Sequence, residues 1–531
     1  MPEIKASDEI RLDFSETSKG HPKGLYVLFA TEMWERFNYY GMRAILIYFM
    51  TQALLFKLDF ASNLYGSYIS LLYLTPLVGG YIADRYWGNK RSILVGGLVM
   101  AFGELILFAC ASVYDSAPGM STVLFFSGLG FMIAGNGFFK PNISSLVGQL
   151  YPKGDMRVDP AYTIFYMGIN LGAWLGPIVC GTVGNTKNPA DFKWAFLVAG
   201  VGMLVSVVIQ KLFHDKYVLS PSGKILGLTP GTYTEQDSLT DKRDVQSHPS
   251  PPKAWLNPLF IVIGMLVFSG LMIGAVYLDT VVNYLFYLIA ASFLFIIYFI
   301  LSDKGLTKEE RQRIWVMVII AFFVIFFWGA YEQTGASLAV FADQQTNLNL
   351  WGNYNMPPAY FQSFNSAFII IFAPVFAWIW LKMGKRQPAT PAKMAIGLLL
   401  LGLGYLWIAF GVKNVSTEKV SIIWLTGLYL LHTWGELCLS PIGLSLFNKL
   451  SPLKFASLLM AVWFLGNAGG NKMAGVLSAL YPEGGKTTSF LGYQMTNLYD
   501  FFMLFVFMAI AASLLLFLLS GQLKKWMHGV R

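Results

Sequence analysis

Long apolar segments recur along the whole chain, and they restrict what it can fold into more than any other feature of the sequence. Of the 531 residues, 55% are hydrophobic and only 13% are charged, whereas soluble proteins carry about 25% charged residues. A stretch of about 20 apolar residues is long enough to cross a lipid bilayer as a helix. The sequence therefore predicts an all-α polytopic membrane protein embedded in a lipid bilayer.

Fourteen such segments can be placed, in groups of six, two and six. The first group lies near residues 25–53, 62–83, 91–113, 120–147, 161–183 and 193–214. The pair lies near 256–278 and 282–302, and the last group near 311–340, 358–383, 393–412, 420–446, 453–481 and 497–522.

These groups predict the division of the chain into domains. We expect an N-terminal tail (1–24), a six-helix bundle (25–214), a polar linker (215–255), two additional transmembrane helices (256–302), a second six-helix bundle (303–523) and a C-terminal tail (524–531). Two six-helix halves are the pattern of transporters built from repeats, in which the substrate site lies near the midplane of the membrane.

Lysines and arginines are distributed unevenly among the connecting loops. With the N-terminus inside, about 28 of the 38 lysines and arginines fall on the cytoplasmic side, as the positive-inside rule requires. We therefore predict a multi-pass protein of the cell (inner) membrane, with the linker and both termini in the cytoplasm. The net charge of +9 reports this orientation and indicates no nucleic-acid partner, because no basic cluster stands on a soluble domain.

Charged residues interrupt the first apolar segment. A charge at the centre of a bilayer costs about 2.5–3.5 kcal/mol on insertion scales, and such residues are by default candidates for function. Their spacing, together with a tyrosine pair, places them on one face of a helix. This face can line a wet cavity but cannot face lipid; it consists of Glu32, Glu35, Arg36, Tyr39, Tyr40 and Arg43.

Three further intramembrane charges have opposite signs in the two halves. Lys140 joins Arg36 and Arg43 in the first half, and Glu332 and Glu436 lie in the second. A ligand with a carboxylate and an ammonium group would fit between them. Arg36 and Lys140 could hold the carboxylate, and Glu436 could hold the ammonium group. Without a ligand, pairs such as Arg43–Glu332 or Lys140–Glu436 would close a gate between the halves. The alternative is that these charges only neutralise each other structurally.

Three further polar residues within spans are expected to have structural roles. We expect Glu104 to face a polar contact between helices. Lys472 lies in the outer half of its helix, from which its side chain can snorkel to the lipid–water interface. We expect His432 to be a satisfied contact between helices rather than a proton relay, although histidine titrates in the useful range.

Several motifs resemble those of a known family. Residues 79–91 are similar, in a slightly expanded form, to the Gly-x-x-x-Asp-Arg-x-Gly-x-Arg/Lys loop of the major facilitator superfamily. Residues 32–40 match the Glu-x-x-Glu-Arg-Phe-x-Tyr-Tyr signature of its proton-dependent oligopeptide transporter family. Residues 165–172 and 435–444 resemble two further signatures of that family, and bacterial members also have the two extra helices.

The resemblance implies the major facilitator fold and a proton-coupled symporter that imports di- and tripeptides by alternating access. It implies that Arg36 and Lys140 engage the peptide carboxylate, and that Glu436, Asn170 and Asn365 engage the amine. The proton-coupling residues would be Glu32, Glu35 and Glu332, in exchange with Arg36 and Lys140. The side-chain pockets would be formed by Tyr39, Tyr40, Tyr73, Trp434 and Trp463, although helix packing is the commoner role of membrane aromatics.

Other functions are less consistent with the sequence. The three cysteines lie in apolar segments without disulfide or metal spacing, and no serine–histidine arrangement points to an enzyme. We expect no cofactor and no bound metal, protons as the coupling ion, and a functional monomer. The alternatives that stay open are a same-fold importer of nitrate or of a peptide-like metabolite or drug, and a peptide sensor that does not transport.

Overall fold

The predicted apolar segments are long helices in the structure. The computed structural model describes residues 20–152, 155–230, 232, 257–351, 354–413 and 419–529. Within these ranges lie fourteen helices of at least 20 residues, again in the order six, two and six. The predicted N-terminal tail up to residue 19 and most of the linker lie outside the described residues.

The first half contains helices α1 to α6, and two further helices follow the linker. The first six are α1 (Lys23–Tyr48), α2 (Leu58–Ile82), α3 (Asn89–Val113), α4 (Pro118–Gln149), α5 (Val158–Gly184) and α6 (Phe192–Tyr217). The next two are α7 (Pro258–Tyr277) and α8 (Asp279–Leu301).

The second half contains six long helices and one short one. They are α9 (Lys308–Tyr331), the short α10 (Ser337–Gln344), α11 (Phe361–Met383), α12 (Thr390–Val412), α13 (Ile422–Leu450), α14 (Ala456–Ser478) and α15 (Leu498–Trp526). A 3₁₀ turn, Glu332–Gly335, separates α9 from α10. Thus α15 continues three residues beyond the predicted end of the bundle at 523.

Short strands occur only in the connections of the second half, among the described residues. A parallel pair joins β1 (Thr346–Asn347) to β4 (Val420–Ser421). Two antiparallel pairs join β2 (Asn349–Trp351) to β3 (Tyr354–Asn355) and β5 (Thr488–Phe490) to β6 (Tyr493–Met495). The parallel pair joins two connections, whereas each antiparallel pair is a hairpin within one connection.

Three of the long helices are too polar to be recognised as spans by composition. By length and composition, eleven helices of the described chain could cross a membrane, and α1, α2 and α14 are not among them. The first contains the charged face, and the other two contain many Gly, Ser and Asn residues. All three contribute to the contact between the halves, where side chains need not be apolar. The total of fourteen spans therefore stays a prediction.

The two halves touch at one end of the molecule, which we call the outer face: the end of α1, the start of α2 and the end of α14. There the hydroxyls of Ser62 and Ser478 lie 3.1 Å apart, and the contact continues to the middle of both helices, where Ser70 donates to the carbonyl of Ala468 at 2.6 Å. On α1, Tyr48 donates to the carbonyl of Ala339 at 2.8 Å. The outer face is therefore closed.

The additional helices flank the bundles and leave much of their own surface exposed. On α7, Phe268 contacts Phe138 of α4 with ring centroids 5.9 Å apart. On α8, Ile289 lies against Gly469 of α14. Most of the remaining side chains on both helices are exposed and apolar, as expected for helices that face lipid.

The described start of the linker packs against the opposite end of the first half. The amide of Lys90 donates to Gly227 at 2.9 Å, and its ammonium group pairs with Asp215 at 2.5 Å. His214 lies 2.9 Å from the carbonyl of Leu226. Residues 218–230 therefore form part of the folded first half instead of a free linker.

Close packing of α5 on α1 requires a glycine at position 172, in the family-like segment 165–172. A Cβ atom on Gly172 would lie 2.9 Å from both the Cβ of Arg36 and the amide of Phe37. We expect Gly172→Ala to destabilise the protein by about 1–3 kcal/mol, the usual cost of overpacking. The measurement is thermal unfolding of the purified protein in detergent.

The matched control is Gly521→Ala on α15, where an added Cβ would meet no atom within 4 Å. This variant should unfold at the same temperature as the original chain or slightly above it, because alanine favours helix over glycine. Equal melting temperatures for the two variants would contradict the close approach of α1 and α5.

Candidate functional site

Arg36 is held between two carboxylates on the charged face of α1. Its Nε atom lies 2.6 Å from Glu32 Oε1 and 3.0 Å from Glu35 Oε2. All three side chains are buried. Since one guanidinium faces two carboxylates, these three side chains have an excess negative charge if both carboxylates are ionised. A proton on either carboxylate would remove that excess and leave one ion pair.

Residues of α4 and α2 complete this cluster. Asn136 donates to Glu35 Oε1 at 3.4 Å. One helical turn later, Lys140 places its ammonium group 4.4 Å from the ring centroid of Tyr73, close enough to Arg36 and Glu35 for their charges to interact. The first half therefore presents two neighbouring cations and an aromatic ring, a suitable surface for a carboxylate.

Arg43 forms an ion pair across the two halves. Its Nη2 atom contacts Glu332 at the start of the 3₁₀ turn, and its Nε donates to Tyr65 at 2.6 Å. Both charged side chains are buried. The ion pair expected between these two residues is thus present, and it lies at the closed outer face; its action as a gate stays a prediction.

Glu436 is held by neutral donors. Tyr331 donates to its Oε2 at 2.7 Å and Asn365 at 2.9 Å. The Asn365 amide also donates to Thr433 at 3.1 Å. No lysine or arginine among the described residues pairs with this carboxylate, so its charge is available to a ligand with an ammonium group.

The expected pair between Lys140 and Glu436 is not formed in this structure. The ammonium lies over Tyr73 in the first half, while the carboxylate is bonded to Tyr331 and Asn365 in the second. The physical reason is the closed outer face, which joins the halves at Arg43 and leaves their other ends apart. The two groups therefore lie in different halves and do not pair with each other.

A cavity of about 1060 Å³ separates the halves at the end opposite the outer face. Its walls come from α5, α11, α12 and α13, and Asn170 is the predicted site residue among its lining. The Asn170 side-chain amide donates to the carbonyl of Tyr166 on its own helix at 2.9 Å. The volume is ample for a small ligand, whose pockets usually measure about 300–1,000 Å³.

The predicted pocket aromatics divide into two groups. Tyr39 and Tyr40 contact each other with ring centroids 4.9 Å apart. The guanidinium carbon of Arg36 lies 5.8 Å from the ring centroid of Tyr39, and that of Arg43 lies 6.0 Å from the ring centroid of Tyr40. Both tyrosines therefore belong to the charged cluster. By contrast, Trp463 is buried against Phe447 and Gly443. In this structure it packs between helices, and its role in a side-chain pocket stays a prediction.

Trp434 occupies an intermediate position on α13. Its ring lies 5.4 Å from that of Phe372 and 6.4 Å from that of Phe376, and the latter residue lines the cavity. The tryptophan therefore supports the cavity wall through a neighbouring ring.

The three residues expected to be structural have specific positions. Glu104 is buried and accepts from Asn38 on α1 at 2.8 Å, a polar contact between helices as expected. His432 lies between the rings of Tyr331 and Tyr405, at 6.0 and 4.8 Å. The expectation that Lys472 snorkels to the interface is wrong: its side chain is 2% exposed and reaches into α2, because polar acceptors lie closer than water.

Sequence reasoning missed several residues of the site. Asn136 precedes Lys140 by four positions, so the helical period alone could have placed both on one face. Tyr331 directly precedes Glu332, yet it serves Glu436 on another helix. Tyr65 could not have been found, because no pattern in the sequence shows which tyrosine lies beside Arg43.

Comparisons with known proteins agree with this geometry. A profile described as the POT family matches residues 90–217 and 275–498. An uncharacterized transporter, YclF, of Bacillus subtilis (strain 168) is 34% identical over 518 residues, which cover 96% of each chain. A di-/tripeptide transporter of Lactococcus lactis subsp. cremoris is 34% identical over 481 residues, covering 85% of this chain and 88% of the relative.

Solved structures give the same result. A crystal structure of the peptide transporter POT in complex with sulfate superposes with a TM-score of 0.78 at 33% identity, covering 97% of both chains. The match includes both bundles and the two helices between them, which confirms the expected major facilitator architecture. The sequence, the fold and the relatives together place this chain in the POT family, as a membrane transporter and not an enzyme.

Proposed function

We propose that this protein is a proton-coupled symporter that imports di- and tripeptides by alternating access. The observation that carries the proposal is the separation of unlike charges between the two halves. Arg36 and Lys140 belong to the first half, and Glu436, with no cationic partner among the described residues, belongs to the second. A peptide has a carboxylate and an ammonium group at its ends, whatever its side chains are.

Proton and peptide act on the same ion pairs in this mechanism. Arg36 is occupied by Glu32 and Glu35 and cannot give its full charge to a carboxylate ligand. Protonation of one glutamate weakens its hold on the guanidinium and frees donors for the peptide. Because an unpaired buried charge costs several kcal/mol, proton and peptide binding favour each other.

A second proton site lies at the outer face. Protonation of Glu332 would break its ion pair with Arg43 and remove the one charge–charge contact described between the halves. The halves could then separate at this face and admit a peptide. Loss of the proton would re-form the pair and open the opposite end, where the cavity already lies.

We propose that the cavity opens to the cytoplasm of the cell (inner) membrane, with both termini on that side. The basic loops that follow the positive-inside rule support this orientation. A single chain contains the charged groups of both halves and the cavity, so we propose that one copy suffices for transport. Protons would be the coupling ion, with no further cofactor.

We expect Glu35→Gln to abolish uptake driven by a proton gradient, because glutamine cannot take up and release the proton. Exchange of labelled for unlabelled dialanine across the same membrane should persist, since exchange needs binding and rocking but no net proton movement. The measurement is dialanine accumulation in proteoliposomes, with and without an inward proton gradient.

Glu32→Gln should behave in the same way, since it shares Arg36 with Glu35. The control is Glu483→Gln, an exposed residue at the outer surface, which should accumulate dialanine normally. Undiminished gradient-driven uptake in both buried variants would refute this assignment of the proton sites.

Glu436→Gln tests the amine contact directly. We expect it to weaken binding of free dialanine by about 10-fold or more, the usual effect of removing one partner of a charged hydrogen bond. N-acetyl dialanine, which has no ammonium group, should lose much less. The measurement is competition by each peptide against a labelled dipeptide.

Equal losses for the two peptides would argue against an amine contact at Glu436. The same assay separates the alternative substrates. Competition by nitrate, with none by a panel of di- and tripeptides, would favour an anion importer. Binding of peptides without any flux would favour a sensor.

A further inference from the structure

Lys472 is a cation buried in the contact between the two halves. It lies on α14, six residues before the outer end of that helix, or about 9 Å along the axis. Its side chain crosses to α2, where the backbones approach so closely that a Cβ on Gly66 would lie 2.7 Å from the Cα of Gly475. The lysine is therefore enclosed by the closed outer face.

Its acceptors are neutral oxygen atoms. The ammonium group lies 3.0 Å from Ser67 Oγ and 3.5 Å from both the carbonyl and the side-chain oxygen of Asn63. The hydroxyl of Ser67 donates to the carbonyl of Asn63 at 2.9 Å, so it can accept from the lysine.

No carboxylate balances this charge among the described residues. The acidic residue of α2 is Asp59, which is exposed and accepts from the amide of Phe60. Helix α14 contains no Asp or Glu. The carboxylate of Glu332, at the same face, is taken by Arg43.

The two buried cations at this interface, Arg43 and Lys472, differ in whether a carboxylate pairs with them. Arg43 has a carboxylate partner, so closure of the outer face satisfies its charge. Closure takes Lys472 out of water and gives it only three neutral acceptors, which compensate an ion less well than hydration or a carboxylate does. When α2 and α14 separate, Lys472 regains water.

We infer that Lys472 is a positioning residue that favours the open state of the outer face and so returns the empty carrier to the outside. It opposes the ion pair of Arg43 and prevents the closed state from becoming too stable to leave. The inference rests on the proposed alternating access, but it does not depend on which substrate is carried.

The experiment measures the opening itself. The buried cysteines Cys110, Cys180 and Cys438 are replaced by serine, and spin labels are attached to cysteines introduced at Lys57 and Lys486. These two positions are exposed at the outer ends of the two halves. Pulsed electron resonance then gives the distance distribution in the full chain, reconstituted in lipid without substrate, at a pH where both states are populated.

We expect Lys472→Met to lower the ratio of open to closed states by about threefold or more. Lys472→Arg, which retains the charge, should retain the original ratio. The control Lys187→Met removes an exposed lysine elsewhere on the outer surface and should change nothing.

Ser67→Asp provides a second, independent test. It supplies a carboxylate beside Lys472 and should also shift the distribution toward the closed state. If Lys472→Met fails to fold, this variant decides the question.

An unchanged ratio in Lys472→Met, or a larger open fraction, would overturn the inference. The larger open fraction would show that the lysine holds the face closed through its hydrogen bonds. Because no substrate is present, failure of the peptide proposal would leave the distance result intact. Failure here would equally leave the peptide proposal intact.

Discussion

The structure depends on the need to satisfy charge in the interior of a membrane protein. The charged face of α1 cannot face lipid, so it turns toward the contact between the halves, and α5 packs alongside it. There Gly172 lets the backbones approach so closely that Arg36 is fixed in place. The guanidinium then holds Glu32 and Glu35 on the same helix. The position of α1, and with it the first half's share of the site, follows from this constraint.

Transport follows from an unequal distribution of partners. Arg36 has two carboxylates, Glu436 has only neutral donors, and Arg43 has a carboxylate only while the outer face is closed. No single arrangement of these groups satisfies all of them. In the proposed mechanism, a proton neutralises a glutamate, a peptide pairs with Arg36 and Glu436, and closure of the outer face pairs Arg43 with Glu332. Each of these events changes how favourable the other two are. In this mechanism, the relative motion of the two halves is sufficient to couple proton movement to peptide movement.

Much of the fold could be predicted from hydropathy, because the bilayer forces every long apolar segment into a helix. The members of the site could be predicted from charge at membrane depth. Their partners could not, since these depend on which face is closed: Lys140 lies over Tyr73 instead of reaching Glu436. The misplaced expectation for Lys472 has the same origin. Helix position alone does not reveal that Ser67 and Asn63 are nearer than the membrane surface.

The contact between α2 and α14 explains why so few charges can control the halves. Within a membrane, apolar surface gives little drive for helices to associate, and small residues allow close backbone packing instead. Gly66, Gly475 and Ser70 provide this kind of contact, which separates and re-forms without exposing a large apolar surface. The free-energy difference between the closed and the open outer face is then small, so one ion pair and one uncompensated cation contribute a large share of it. In the proposed mechanism, the protonation of Glu332 would then decide which face is open.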